Sequence, residues 1–183
     1  MTQPPVPEDF LTALLSLREQ ARNSEVELEE VPPPRRLAPW TAAIALRTVR
    51  EEHGQPLASG RFVVLHDPAE QIGWNGTFRL VAQLRTQIDS EMGSDPLLGE
   101  ALWAFTGESL DEAGAGYHDL TGTVTREFSE SFGGLELRGA VLHAELRASW
   151  TPVTPWLGEH LRAWSDLMCR ASGIIPRHYL EEA

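Results

Sequence analysis

Apolar and polar side chains alternate most cleanly in the second half of the chain. Leu142, Ala144, Leu146, Ala148 and Trp150 alternate with His143, Glu145, Arg147, Ser149 and Thr151, the two-residue period of a strand with one buried face. Leu120, Gly122, Val124 and Phe128 do the same against Thr121, Thr123, Thr125, Glu127 and Ser129, with Arg126 as the one polar intruder on the apolar side. Gly133, Gly134 and Gly139 lie between the two runs, so together they predict an antiparallel hairpin. Its apolar face needs a cover, because each Val, Leu or Phe taken fully out of water contributes about 1.5–3 kcal/mol.

The first half supplies further elements. Phe10, Leu14, Leu17 and Ala21 fall at spacings of four, three and four, which predicts an amphipathic helix from Pro7 to Arg22. Glu8 and Asp9 in its first turn, with Arg18 and Arg22 in its last, suit the helix dipole. Val26, Leu28 and Val31 then set a short strand whose outer face carries Glu25, Glu27 and Glu29, charges that suit a sheet edge. Pro32, Pro33 and Pro34 force an extended connection, read as a stiff link rather than a ligand for a polyproline-binding partner. Trp40 to Arg47 alternates as a second strand, although its alanines leave a helix open. His53 to Gly60 is a turn, and Phe62-Val63-Val64-Leu65, apolar on both sides, predicts a central strand.

Phe78, Leu80, Ala82, Leu84 and Ile88 fit a strand, yet Leu80, Leu84 and Ile88 are also four apart and fit a helix; the polar residues between them favour the strand. Asp95-Pro96 opens a helix that runs to about Ala113, with Leu98, Leu102 and Phe105 on one side and Trp103 and Leu110 beside them. Thr154-Pro155 opens the last helix by the same device, with Leu157, Leu161, Trp164, Met168 and Ala171 as its buried stripe and Gly173 at its end. Trp150, Trp156 and Trp164 are expected in one core cluster. The order α-ββββ-α-ββ-α predicts an α+β fold, an antiparallel sheet of about six strands with three helices packed mainly on one face. A length of 183 residues gives one domain over 1–183, with loosely packed tails expected at 1–6 and 174–183.

Composition narrows the function more than it defines it. The net charge is −12, and all 15 basic residues are arginine. Without lysine the chain can form neither a Schiff base nor a Walker-type phosphate site. An acidic surface disfavours direct nucleic-acid binding, which depends on counterion release by a basic one. No apolar run approaches the roughly 20 residues of a membrane span, and the start of the chain lacks the pattern of a secretion signal. One cysteine, Cys169, permits no internal disulfide. These features together predict a cytoplasmic protein.

Few residues suggest chemistry. His66 and Asp67 end the most buried strand and are the weak catalytic alternative, for an enzyme or small-molecule binder with a pocket beside them and Trp74; adjacent strand residues point to opposite faces, which argues against a working pair. His143, Glu145 and Arg147 share a strand face and can meet Thr123, Thr125 and Glu127 across the hairpin. That set reads as a solvated face with cross-strand pairs, or as a docking surface for a partner. His118-Asp119 reads as a turn pair. Glycine, cysteine and serine motifs for cofactors, zinc or a nucleophile elbow are missing, so no metal and no cofactor is expected. A role in RNA processing would need Arg35, Arg36, Arg79 and Arg85 on one surface.

Six segments carry a family resemblance: Arg36 to Trp40, Val64 to Pro68, Gly76 to Val81, Asp95 to Leu98, Gly114 to Tyr117 and Glu145 to Pro152. With them the chain resembles an uncharacterised actinobacterial family, the domain of unknown function numbered 3000. The resemblance implies a small cytoplasmic protein and supplies no catalytic residues. Members are often encoded beside an RNase D-like exonuclease, which implies a place near RNA metabolism. The layout is also similar to that of type III secretion chaperones, with one strand more. The expected function is therefore a non-enzymatic accessory protein that binds a protein partner or a second copy of itself.

Overall fold

The computed structural model describes residues 2–20, 22–134 and 140–174. Helix α1 (Glu8–Glu19) is followed by strands β1 (Val26–Val31) and β2 (Trp40–Thr48). A two-residue ladder, β3 (Glu51–Glu52) with β4 (Gln55–Pro56), occupies the turn to β5 (Ala58–His66), and β6 (Phe78–Ile88) comes next. Then come α2 (Ser90–Gly93), α3 (Leu98–Glu112), β7 (Tyr117–Glu130), β8 (Ala140–Pro152) and α4 (Gly158–Ala171). The expected order holds, with a single-turn helix and a tiny ladder added. His53 and Gly54 both take positive φ, 52° and 75°, which closes the β3–β4 turn.

Six strands form one sheet in the order β1-β2-β5-β6-β8-β7, antiparallel throughout. The apolar run Phe62 to Leu65 is central as expected, and the acidic strand β1 is an edge. Residues 78–88 are strand: four-residue spacing and alternation select the same side chains there, and pairing on both sides by β5 and β8 decides for the sheet. Register aligns Leu28, Leu46, Gly60, Leu84, Leu146 and Val124 in one row across all six strands. Even-numbered residues of β2, β5, β6 and β8 thus share one face, which the helices cover.

Helix α4 lies over β2, β5 and β6, α3 over β7, and α1 packs against α4. Phe62, Leu80, Leu84, Leu146, Trp150, Leu161, Trp164 and Met168 are enclosed between sheet and helix. Trp150 is ringed by Phe62, Trp164 and His160 with centroids 5.8–6.4 Å away, and its indole N–H donates to His160 Nδ1 at 2.9 Å. Trp156 stays outside this cluster, 42% exposed, because regular helix begins only at Gly158. Asp95 likewise caps one turn before α3 becomes regular, its side chain accepting from Leu97 N at 2.9 Å.

Arg126, the exception in the β7 pattern, does lie on the helix-covered side. Its guanidinium donates to the carbonyls of Gly93, Asp95 and Pro96 at 3.4, 2.9 and 3.2 Å, tying the α2–α3 connection to the edge strand. Beside it Trp103 lies on Gly122, where a Cβ would come 2.3 Å from the indole. Ile174, expected in a loose tail, is buried, its N–H donating to Cys169 O at 2.9 Å. Ala21, Gly139 and positions 175–183 of the expected elements lie outside the described residues.

Candidate functional site

His66 is part of the core. Its ring lies between Phe10 (6.0 Å) and Phe78 (4.1 Å), and Nδ1–H donates to Thr77 O at 2.9 Å. Burial pulls its pKa below the usual value, partly offset by that hydrogen bond. Asp67 turns the other way and holds the following turn, accepting from Ala69 N and from the Gln71 amide. Trp74 is on this turn, and its carbonyl accepts from Thr151 Oγ1 on the odd-numbered side of the sheet. The structure therefore separates His66 from Asp67 and Trp74.

The odd-numbered face carries the other predicted set. Thr125, Glu145 and Arg85 share one row and Thr123, Arg147 and Gln83 the next. Arg85 donates both arms to Glu127 at 2.9 and 3.1 Å and lies 3.7 Å from Glu145, while Arg147 bonds Glu145. The Arg85 guanidinium holds the Glu127 carboxyl below the ordinary range. Burial and the Arg85 charge push His143 down, with Glu127 opposing. His143 Nδ1 is buried without a hydrogen-bond partner among the described residues.

Arg79 shares this face farther along β6, donating to Ser149 Oγ at 2.7 Å and Thr151 Oγ1 at 2.9 Å. At the same end Asp119 accepts from His118 Nδ1 at 2.6 Å and from the Asn75 amide at 3.1 Å. These two bonds, the His118 one first, hold the Asp119 carboxyl below its usual range. Asn75 and Asp119 both have positive φ, and β7 is irregular between His118 and Thr121, so this turn pair is fixed by local geometry. Arg79 and Arg85 share a face, with Arg85 already taken up by carboxylates.

A feature missed by periodicity alone lies at the opposite sheet edge. The expected α1 stripe of Phe10, Leu14, Leu17 and Ala21 is rotated: Phe10, Ala13, Ser16 and Leu17 are buried. Ser16 turns inward because its Oγ donates to Ala13 O at 2.7 Å and accepts from Leu157 N at 2.8 Å, seating α1 on the start of α4. That rotation leaves Leu14 on the rim of a groove of about 400 Å³ between α1 and β1. Leu17, Leu28, Ala42, Ile44 and Leu161 line it, with Arg18, Arg22, Glu29 and Glu30 around the opening. Leu11 and Leu15, 47% and 53% exposed, continue the apolar surface along α1. Sequence held one signal for this: α1 has more leucines than one stripe can bury.

Cys169 is buried, and burial pushes its thiol up to about 11, away from the reactive thiolate form. Among the described residues no group of three or more His, Cys, Asp or Glu is placed to hold a metal, and no helix is long and apolar enough to cross a membrane.

Fold and groove together define an α+β protein with a sheet covered on one side, an open strand edge and an apolar cleft beside that edge. Residues 6–180 match the family model described as protein of unknown function, DUF3000, and the chain belongs to that family. No curated protein and no solved structure gives a match.

Proposed function

We propose that this is a non-enzymatic partner-binding protein whose contact surface is the groove between α1 and β1. The observation that supports the reading is the apolar lining of that groove, with Leu14, Leu28 and Ile44 left part-exposed next to Leu11 and Leu15. Contiguous apolar surface rimmed by charge is what a protein-binding site presents. The six-residue outward set of Thr123, Thr125, Glu127, His143, Glu145 and Arg147 is a second contact region, and its ion pairs favour a role in orientation over one in affinity.

Photo-crosslinking tests the reading. A benzophenone side chain at Leu11 or Leu15, in cells that make the protein, is expected to give a discrete adduct with another protein. The same group at Ile72, fully exposed on the turn between β5 and β6 and outside the groove lining, is expected to give none. Equal labelling at all three positions, or none at Leu11 and Leu15, counts against the groove.

A further inference from the structure

We propose that the partner enters the groove as an added strand on β1, and that the segment it contributes alternates apolar with basic residues. This rests on the groove being the contact surface, and it adds how the contact is made and with what chemistry. Strand β1 is the sheet edge, with no described strand beyond it. Val49 N donates to Glu25 O at 2.8 Å, so Glu25 and Val49 are a hydrogen-bonded pair. Such pairs alternate along an antiparallel ladder, which directs the odd-numbered backbone groups to β2 and those of Leu28 and Glu30 to the open edge. A further chain can pair with those groups and lay alternate side chains into the apolar groove. Val31 is the last residue of β1, and Pro32, Pro33 and Pro34 end the template there.

Charge then selects the occupant. Glu27 is matched by Arg47 across β2, at 2.6 Å. Glu29 faces Ala45 and Glu30 faces Ile44, and neither glutamate has an ion pair among the described residues. Adjacent strand residues point to opposite faces, so an added strand with its apolar side chains in the groove, on the side of Leu28 and Glu30, sets its cations on the other face opposite Glu29, in a chain whose net charge is −12. A second copy fits badly. Antiparallel self-pairing that keeps both sets of helices on one side sets residues of equal parity against each other. The centred registers then oppose Glu27 to itself, Glu27 to Glu29, or Glu29 to itself, and like charges directly opposite destabilise a sheet. The edge is therefore closed to its own copy and open to a basic one.

Two nine-residue peptides, capped at both ends and alternating valine with arginine or valine with glutamate, provide the probe. The arginine peptide is expected to bind the full chain at least about tenfold more tightly and to slow hydrogen exchange at the amides of Leu28 and Glu30. A version N-methylated on its pairing edge is expected to lose binding, and Glu29→Arg, exposed and so compatible with folding, to reduce the preference several-fold. Equal affinity for the two peptides, no binding by either, or binding that leaves Leu28 and Glu30 exchanging as before overturns the proposal. So does a wild-type dimer with those amides protected. Crosslinks at Leu11 and Leu15 without protection of Leu28 and Glu30 in the captured complex would retain the groove as contact surface while rejecting strand addition.

Discussion

At the scale of single residues, neighbours in one strand have opposite fates. Leu146 is fully enclosed and Arg147 is exposed on the other face, where its side chain bonds Glu145. Leu146→Ala is expected to cost about 2–5 kcal/mol, and Arg147→Ala within about 0.5 kcal/mol of nothing, by urea denaturation. Comparable losses would mean that the strand phase is misassigned. His160 gives a pH dependence. Burial lowers its pKa from 6.5 to about 4, so between those values the unfolded chain takes up a proton that the folded one refuses. Stability is thus fully present above about pH 6.5 and eroded as pH falls toward 4, by roughly 3 kcal/mol over the window. His66, shifted in the same direction, adds to the loss. A His160→Gln variant should flatten the fall in melting temperature between pH 7 and 4.5; an unchanged slope would assign the effect elsewhere. The alternation at Leu142 to Trp150 was legible because one covered face leaves a simple imprint. Thr151 was not, because the turn carrying Trp74 folds back and buries an odd-numbered hydroxyl.

At the scale of elements, joints matter more than propensities. Ser16 accepts from Leu157 N inside the α1–α4 contact, so Ser16→Ala leaves a buried N–H unmatched. The expected cost is about 1–3 kcal/mol in thermal or urea unfolding, while Ser24→Ala on the exposed turn before β1 serves as a neutral control. Arg126 is a second joint. Arg126→Met keeps the stem and removes the donors, and should speed hydrogen exchange across residues 89–98 while leaving β8 protected; no change there would show that the loop stands by itself. Helix and strand types were legible from periodicity, and residues 78–88, open to both readings, needed the sheet to decide. What the sequence concealed was rotation. Hydrophobic spacing puts Leu14 in the α1 stripe, whereas the Ser16 bond turns Ala13 inward and Leu14 toward the groove. A serine hydroxyl reaching a residue far along the chain leaves no periodic trace.

At the scale of the whole molecule, Cys169 reports on the core. Its thiol is enclosed and its pKa raised, so labelling by a disulfide reagent should proceed only as fast as the chain opens, and should quicken in Leu146→Ala. Rapid labelling of the native protein would show that α4 detaches by itself. The fold class followed from the order of elements, but the site did not: the groove joins residues 14 and 161, and sequence order does not reveal such closeness. The sheet order has a further consequence. Strands β1, β2, β5 and β6 form one local meander and β7 with β8 one local hairpin, and within the sheet these halves pair where β6 borders β8. That border joins residues separated by more than fifty positions of chain, so its closure is expected to be the late and slow event of assembly. Two polypeptides divided at Ser94 and Asp95 should therefore recombine along it when mixed, like torn cloth along one tear.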